Sequence, residues 1–138
     1  MKRGTLVLLF SIVLFGGGVA FSSSLQDRTS GLVPPPGTIP VVLAVLEAQG
    51  ATYEIAVPQG STVYELMAKA QEETDFSFSG REFAGMGFFV EEIQGKRQNP
   101  KEQRYWMYSI NGQKAQLGIS FYELQSNDVI SWTYEQEE

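Results

Sequence analysis

Two absences define the chemistry open to this chain: it contains no His and no Cys. Without thiols there is no disulfide, no thiolate nucleophile or metal site, and no acylated-Cys anchor. Without imidazole the usual general base, the Ser–His pair and nearly all zinc chemistry are gone. Carboxylate pairs, an activated lysine and an oxygen-ligated metal remain. Glu91 and Glu92 are adjacent on a predicted strand and point to opposite faces, so they cannot share a proton. Glu72 and Glu73 diverge in the same way on a predicted helix. Gly85-Met86-Gly87 begins a G-x-G, but Val90 stands where a dinucleotide fingerprint requires Gly or Ala, so a tight bend between strands is expected. Asn127-Asp128 lacks the further acidic spacing of a calcium loop and reads as a turn. Lys114 would be a catalytic amine only inside a dry pocket. The expectation is a protein that is not an enzyme, with no catalytic residue and no metal site.

Aromatic side chains are the stronger anomaly. Tyr105, Trp106, Tyr108, Phe121, Tyr122, Trp132 and Tyr134 crowd the last third of the chain. On alternating strands one half of such a set should face away from the helix, offering a flat surface for a planar ligand or a protein partner.

The elements that must position these side chains are legible in the patterning. Val41 to Ala48 is an apolar run that predicts a strand buried on both faces. Gln49-Gly50 forms a turn, and the alternation of Tyr53, Ile55 and Val57 completes a hairpin that Pro58 and Gly60 end. Thr62 with Glu65 makes a capping box, and Val63, Leu66, Met67 and Ala70 share one face of a helix running to about Glu73. Glu65 and Lys69 are spaced as an exposed pair on that helix. Two short strands should follow around Phe76 to Phe83 and Phe88 to Ile93. Asn111-Gly112, set between Tyr105–Ile110 and Gln113–Ala115, is the preferred two-residue hairpin turn. Asp128 to Tyr134 supplies a closing strand. This order predicts an α+β chain with the β-grasp fold, a mixed sheet of about five strands wrapping one helix. A small β-sandwich is the alternative, disfavoured by the well-capped helix.

Ahead of the domain, Lys2 and Arg3 precede an apolar run from Leu6 to Phe15, then three glycines and Val19-Ala20-Phe21. Residues 1–21 therefore read as a signal peptide or an N-terminal membrane anchor, and residues 5–21 are at the short limit for a bilayer of about 30 Å. Residues 22–38, rich in Ser, Gly and Pro, read as a linker, with a proline-rich recognition motif as the alternative. The domain proper is expected at 39–138. Such a protein is exported, extracellular or at the cell surface, and touches the membrane only through its N-terminal segment. Sixteen acidic against ten basic side chains give a net charge of -6, which argues against nucleic acid as a partner. Lys96, Arg97, Lys101 and Arg104 form one local basic cluster, read as a solvated loop.

The run Gly87-Phe88-Phe89-Val90, Ile93, Gly95, Asn99, Tyr105-Trp106, Tyr108, Ile110-Asn111-Gly112, Ala115, Gly118-Ile119-Ser120, Tyr122, Asp128, Ile130 and Trp132-Thr133-Tyr134 resembles the C-terminal β-domain of transcobalamin and intrinsic factor, and its bacterial relatives of unassigned role. The resemblance covers roughly residues 39–134 and implies a β-grasp fold with soluble-ligand-binding relatives. It also implies that a cobalamin or other corrinoid would meet Tyr105, Trp106, Leu117, Gly118, Ile119 and Tyr122. The animal carriers enclose cobalamin with a separate helical barrel, whereas this sequence offers one half-site, and with no His any corrinoid contact would be packing and hydrogen bonds. Two functions are open at this level. One is a tethered binding domain for a corrinoid or other flat amphipathic molecule. The other is a cell-surface structural or protein-interaction module without a small ligand. A pocket flanked by Trp106 and Tyr122 would favour the first, and an exposed aromatic edge without concavity the second.

Overall fold

The computed structural model describes residues 36–137. The signal or anchor segment (1–21) and the linker up to residue 35 lie outside the described residues. Among the described residues no helix is long and apolar enough to cross a membrane, and no group of three or more His, Cys, Asp or Glu is placed to hold a metal ion.

Two antiparallel strands open the fold, β1 (Val41–Ala48) and β2 (Ala51–Pro58), and a single helix, α1 (Val63–Glu73), follows. Strands β3 (Phe78–Phe83), β4 (Gly87–Ile93) and β5 (Lys96–Arg97) form a three-stranded antiparallel sheet. Strands β6 (Arg104–Ile110), β7 (Gln113–Lys114) and β8 (Val129–Gln136) join β1 and β2 in a five-stranded sheet of order β2-β1-β8-β6-β7. Only the β1–β8 pair is parallel, so this sheet is mixed. The described residues are thus α+β, with one α-helix.

Three hairpins turn through the same backbone device. Gln49-Gly50, Gln94-Gly95 and Asn111-Gly112 each have positive φ at both residues, the geometry that matches the natural twist of paired strands. Glycine supplies the second position without a Cβ penalty. The two glutamines also tie hairpins together: Gln49 Nε2 donates to the Ile93 carbonyl at 2.9 Å and Gln94 Nε2 to the Tyr53 hydroxyl at 2.8 Å.

The predicted capping box is present. Thr62 Oγ1 accepts from the Glu65 amide and the Glu65 carboxylate accepts from the Thr62 amide. Val63, Leu66, Met67 and Ala70 are the buried helical positions. They pack with Val42, Ala44, Leu46, Ile55 and Val57 in one core, so α1 covers the β1–β2 half of the large sheet. The three-stranded sheet covers the β6–β8 half, where Trp106 Nε1 donates to the Lys96 carbonyl at 2.8 Å and Tyr134 donates to the Arg97 carbonyl at 3.2 Å.

Two local expectations are corrected. Strand β1 is buried on one face only: Val42, Ala44, Leu46 and Ala48 point inward, while Val41 and Leu43 are 64% and 46% exposed. Among the described residues nothing covers the outer face of the large sheet at that end. The exposed helical ion pair is Lys69–Glu73 at 3.6 Å instead of Glu65–Lys69, because Glu65 is committed to the cap and Lys69 also donates to the Ala56 carbonyl.

Candidate functional site

The site begins with register. Pairing of β6 with β8 sets Trp106 opposite Tyr134, Tyr108 opposite Trp132 and Ile110 opposite Ile130. Period-two alternation then places all six on the same inner face of the sheet. Their rings pack in cross-strand pairs, Trp106 edge-on to Tyr134 at 5.2 Å and Tyr108 tilted on Trp132 at 5.1 Å. The Lys96 ammonium lies 4.1 Å from the centre of the Tyr134 ring, in cation–π contact. Trp106, Tyr108, Trp132 and Tyr134 therefore face inward together, against the expectation that half of the aromatic set would form a flat outer surface, and Tyr105 alone of the aromatics on these two strands points outward. The outward residues of these two strands are Tyr105, Met107, Ser109, Ser131, Thr133 and Glu135.

The connection from β7 to β8 folds over this face. Tyr108 donates its hydroxyl to the Leu117 carbonyl, and the Ala115 amide donates to the Tyr108 carbonyl at 3.1 Å. Ser120 Oγ accepts from the Phe88 amide at 2.9 Å, and a Cβ at Gly87 would stand 2.7 Å from Ser120 Cβ, so only glycine permits this approach. The carbonyls of Ile119 and Tyr122 accept the free amides of Tyr64 and Val63 at the start of α1. The segment 118–122 is thereby clamped between the helix and β4.

Between this segment, β4 and the aromatic ladder lies a cleft of about 180 Å³, lined mainly by Phe88, Val90, Trp106, Tyr108, Ile119 and Trp132. Phe89, Gly118, Ala115 and Lys114 complete its mouth. Beside it stand exposed large apolar side chains: Phe83, Met86 and Phe89 from the β3–β4 hairpin, and Leu117 and Phe121 from the clamped segment, the last two more than half exposed. Phe83 and Phe89 are in ring contact at 6.4 Å, and the Phe121 ring closes on Gly87 and Gly118. The mouth is consequently apolar and concave, a type of surface that monomeric proteins do not usually leave open.

Of the six residues singled out in the sequence, Trp106, Gly118 and Ile119 meet in this cleft. Leu117 and Tyr122 line a separate depression with Ile110 and Gln113. Tyr105 lies on the opposite face of the sheet, beside Glu135 and Glu137. Phe88, Phe89 and Trp132 belong to the cleft but were not among the six, although the aromatic crowding around them was visible. Lys114 is exposed at the mouth, not in a dry interior.

Electrostatics at the floor are those of buried phenols. Desolvation, with the neighbouring Tyr122, pushes the Tyr108 hydroxyl up to about 12. Burial raises Tyr122 as well, helped by the Asp128 carboxylate that accepts its hydrogen bond at 2.9 Å. Neither group can serve as a base at neutral pH.

Residues 60–136, more than half of the chain, match the family described as "Domain of unknown function (DUF4430)". The chain belongs to the DUF4430 family. No curated protein sequence matches it significantly. Among solved structures this DUF4430 chain is similar to haptocorrin in complex with Cbi, at 23% identity and a TM-score of 0.54, over 70% of this chain and 25% of that one. It is similar as well to a protein of Ruminococcus gnavus ATCC 29149 named as a candidate metal-binding protein, at 9% identity and a TM-score of 0.54, over 71% of this chain and 98% of that one. These likenesses are likenesses of fold. The DUF4430 chain spans a quarter of the haptocorrin chain, and almost the whole of the Ruminococcus protein.

Proposed function

We propose that this protein is an exported, non-catalytic binding domain of β-grasp fold, built like the C-terminal domain of the transcobalamin family. It holds one face of a flat amphipathic ligand of corrinoid type. The observation that carries this reading is the apolar mouth, where Phe89, Leu117 and Phe121 stand exposed around a concavity that Trp106, Gly118 and Ile119 help to line. A planar ligand would lie across that rim. The cleft itself, at about 180 Å³, is smaller than the roughly 300–1,000 Å³ of an enclosing small-molecule site, so affinity should be modest unless a second domain or protein covers the other face. The crystallised haptocorrin carries cobinamide, which makes a corrinoid the natural first ligand to test.

The test is tryptophan fluorescence of the full chain, titrated with cobinamide and cobalamin and corrected for inner-filter absorbance. The protein has two tryptophans, and both line the cleft, so the signal reports on this site alone. Saturable quenching that disappears in Leu117→Ser/Phe121→Ser is expected. Those side chains are more than half exposed, and an unchanged circular dichroism spectrum checks that the double variant stays folded. A flat titration into the high micromolar range would overturn the corrinoid reading.

The second reading, a surface interaction module without a small ligand, draws on a different observation. Ile39, Val41 and Leu43 form an exposed apolar stripe along the uncovered face of β1. It gains ground if the titration is flat.

Export is proposed from residues 1–21 and is tested by sequencing the N-terminus of the protein recovered from its native cell. A new terminus at Phe21 or Ser23 indicates cleavage after the small-x-small run Gly18-Val19-Ala20 or Ala20-Phe21-Ser22, whereas a retained N-terminus indicates an anchor.

A further inference from the structure

The edges of the two sheets are unequally guarded. β2 ends the large sheet on one side, where Lys69 donates to the Ala56 carbonyl and Pro58 closes the strand. β7 and β5, at the other end of the large and small sheets, are two residues long each. Short strands, Lys and Pro are the usual means of keeping a sheet edge from pairing further. β3 has none of them. It runs for six residues, contains neither Lys nor Pro, and among the described residues pairs with β4 alone.

Two hydrogen bonds show which backbone groups of β3 face the free side. In an antiparallel pair, opposed residues alternate between exchanging their backbone bonds and pointing them away from each other. The Phe88 amide donates to Ser120 Oγ, away from β3, so Glu82 opposite it turns its own N–H and C=O outward. At the start of the strand the Phe78 amide donates to Gln71 Oε1 at 2.8 Å, so Phe78 faces out as well. Gly80 lies between them in the same alternation. Gln71 takes up the Phe78 donor, whereas among the described residues no side chain or loop takes up the outward groups of Gly80 and Glu82. Arg81 and Phe83 stand beside this open rail. With Met86 and Phe89 they line a depression of about 290 Å³, and all four are exposed. The Glu91 carboxylate holds Arg81 through Nε at 2.7 Å and Nη2 at 2.6 Å, which fixes the guanidinium and leaves part of its donor fork unused. That guanidinium also lies 5.7 Å from the centre of the Phe83 ring.

We infer that β3 receives an extended acidic peptide segment as an added antiparallel strand, bonded through Gly80 and Glu82, with a carboxylate opposite Arg81 and an aromatic side chain over Phe83. The inference goes beyond the ligand reading above and does not depend on what the cleft holds. In strand addition the main-chain bonds supply affinity, and pockets for alternate side chains supply preference. Arg81 and Arg97 together line an adjoining depression, with Glu91 already bound to Arg81, so an acid is favoured there over a base. A second copy of this chain suits the edge poorly. Two-fold antiparallel pairing sets Arg81 against Arg81 when Gly80 meets Glu82, and Glu82 against Glu82 in the next register. Like charges directly opposite are destabilising. Centring the pair on Gly80 instead requires the Phe78 amide, which Gln71 holds.

The experiment follows backbone amide exchange of the full chain by nitrogen–proton correlation spectra. The probe is the end-blocked peptide Thr-Thr-Phe-Thr-Asp-Thr-Thr, which in antiparallel pairing sets Asp opposite Arg81 and Phe opposite Phe83. In the free protein the Gly80 and Glu82 amides should exchange fast and the Arg81 amide, bonded to β4, slowly. Saturating peptide should slow Gly80 and Glu82 about tenfold or more and leave Arg81 unchanged. Replacing the peptide's Asp by Lys should weaken binding about tenfold, and Arg81→Gln should remove that preference. N-methylation of either Thr beside the Asp, whose amides point at β3, should abolish binding. N-methylation of the Asp itself, whose amide points away, should leave it unchanged. Glu82→Pro removes the outward N–H without touching a bond to β4 and should block the peptide. If that variant does not fold, the methylated peptides on the wild-type chain still decide. No added protection at about 1 mM peptide, or binding indifferent to which amide is methylated, would overturn the inference. Protection of Gly80 and Glu82 that is already present without peptide and rises with protein concentration assigns the edge to a second copy, and overturns it too.

Discussion

Two residues that do not line the cleft carry more of the structure than their types suggest. Asp128, buried at the entry to β8, accepts hydrogen bonds from Asn111 Nδ2, the Tyr122 hydroxyl and the Gln125 amide, all at 2.9 Å. It thereby fastens the β6–β7 turn and the clamped segment to the start of the central strand. Asp128→Ala would strand those donors, at a cost of about 2–4 kcal/mol in urea unfolding, since hydrogen bonds to a charged acceptor are among the stronger ones. Asp128→Asn should cost clearly less. Gly80 is the second case: a Cβ there would lie 1.9 Å from the Phe89 carbonyl oxygen, a backbone atom that cannot move aside. Gly80→Ala should destabilise by about 3 kcal/mol or more, or fail to fold, because overpacking against the main chain cannot relax. Neither role was legible in the sequence. Asp128 looked like half of a turn, since two of its three partners lie 6 and 17 residues away. The constraint on Gly80 comes from a β-bulge, where the pairing steps from Ser79–Glu92 to Gly80–Val90 and skips Glu91. Glu91 and Glu92, as expected, do diverge, the first to Arg81 at 2.6 Å and the second to Arg97 at 3.2 Å.

Local signals decide the elements. Thr62 and Glu65 announced the start of α1, and Thr62→Ala should cost about 1 kcal/mol by thermal or urea unfolding, the usual worth of an N-cap side chain. Asn111-Gly112 announced its hairpin for an equally local reason, the scarcity of residues that tolerate positive φ twice in succession. Gln49 and Gln94 occupy the same kind of position with less natural preference for it, and each is held by a long-range hydrogen bond from its amide. What local patterning does not encode is which face meets which. The aromatics of β6 and β8 were expected on both sides of the sheet. Pairing Trp106 with Tyr134 and Tyr108 with Trp132 puts these four on one, with Tyr105 left on the other, and only contact with a second sheet makes that arrangement favourable. Trp106, Gly118 and Ile119 were singled out through the family resemblance alone, and local patterning could not have joined them to Phe88 and Trp132, which other elements bring to the cleft. The exposed outer side of β1 was missed because Val41 and Leu43 carry the same apolar signature as a core strand.

At the scale of the molecule, both halves of the inner face respond to alkali through partly buried phenols. Tyr53, Tyr108 and Tyr122 all have their phenols raised above the ordinary 10.0, burial being the largest cause in each. For Tyr53 the Asp75 carboxylate adds to the rise and the Gln94 amide opposes it. A raised value means that the folded protein holds these protons more tightly than the unfolded chain does. The contribution to stability is therefore complete below pH 10 and is lost as pH rises toward about 12, the value for Tyr108. Phenolate absorbance should show a late phase that coincides with unfolding, and a titration already complete near pH 10 would contradict this.

The position of β8 bears on how the fold is reached. This strand is late in the chain but lies third of five in the large sheet, parallel to β1 and antiparallel to β6. Until Val129–Gln136 emerges during synthesis, the β1–β2 hairpin and β6 have no neighbour in common, and two long rows of backbone donors and acceptors stay open to water or to another chain. Such non-local pairing comes late and slows folding. A ribosome that has delivered 125 of the residues holds a helix with a half-built floor and the walls of a cleft without Trp132. The interval before the central strand slots in is when this protein is most exposed to aggregation, to proteases and to any chaperone that meets it.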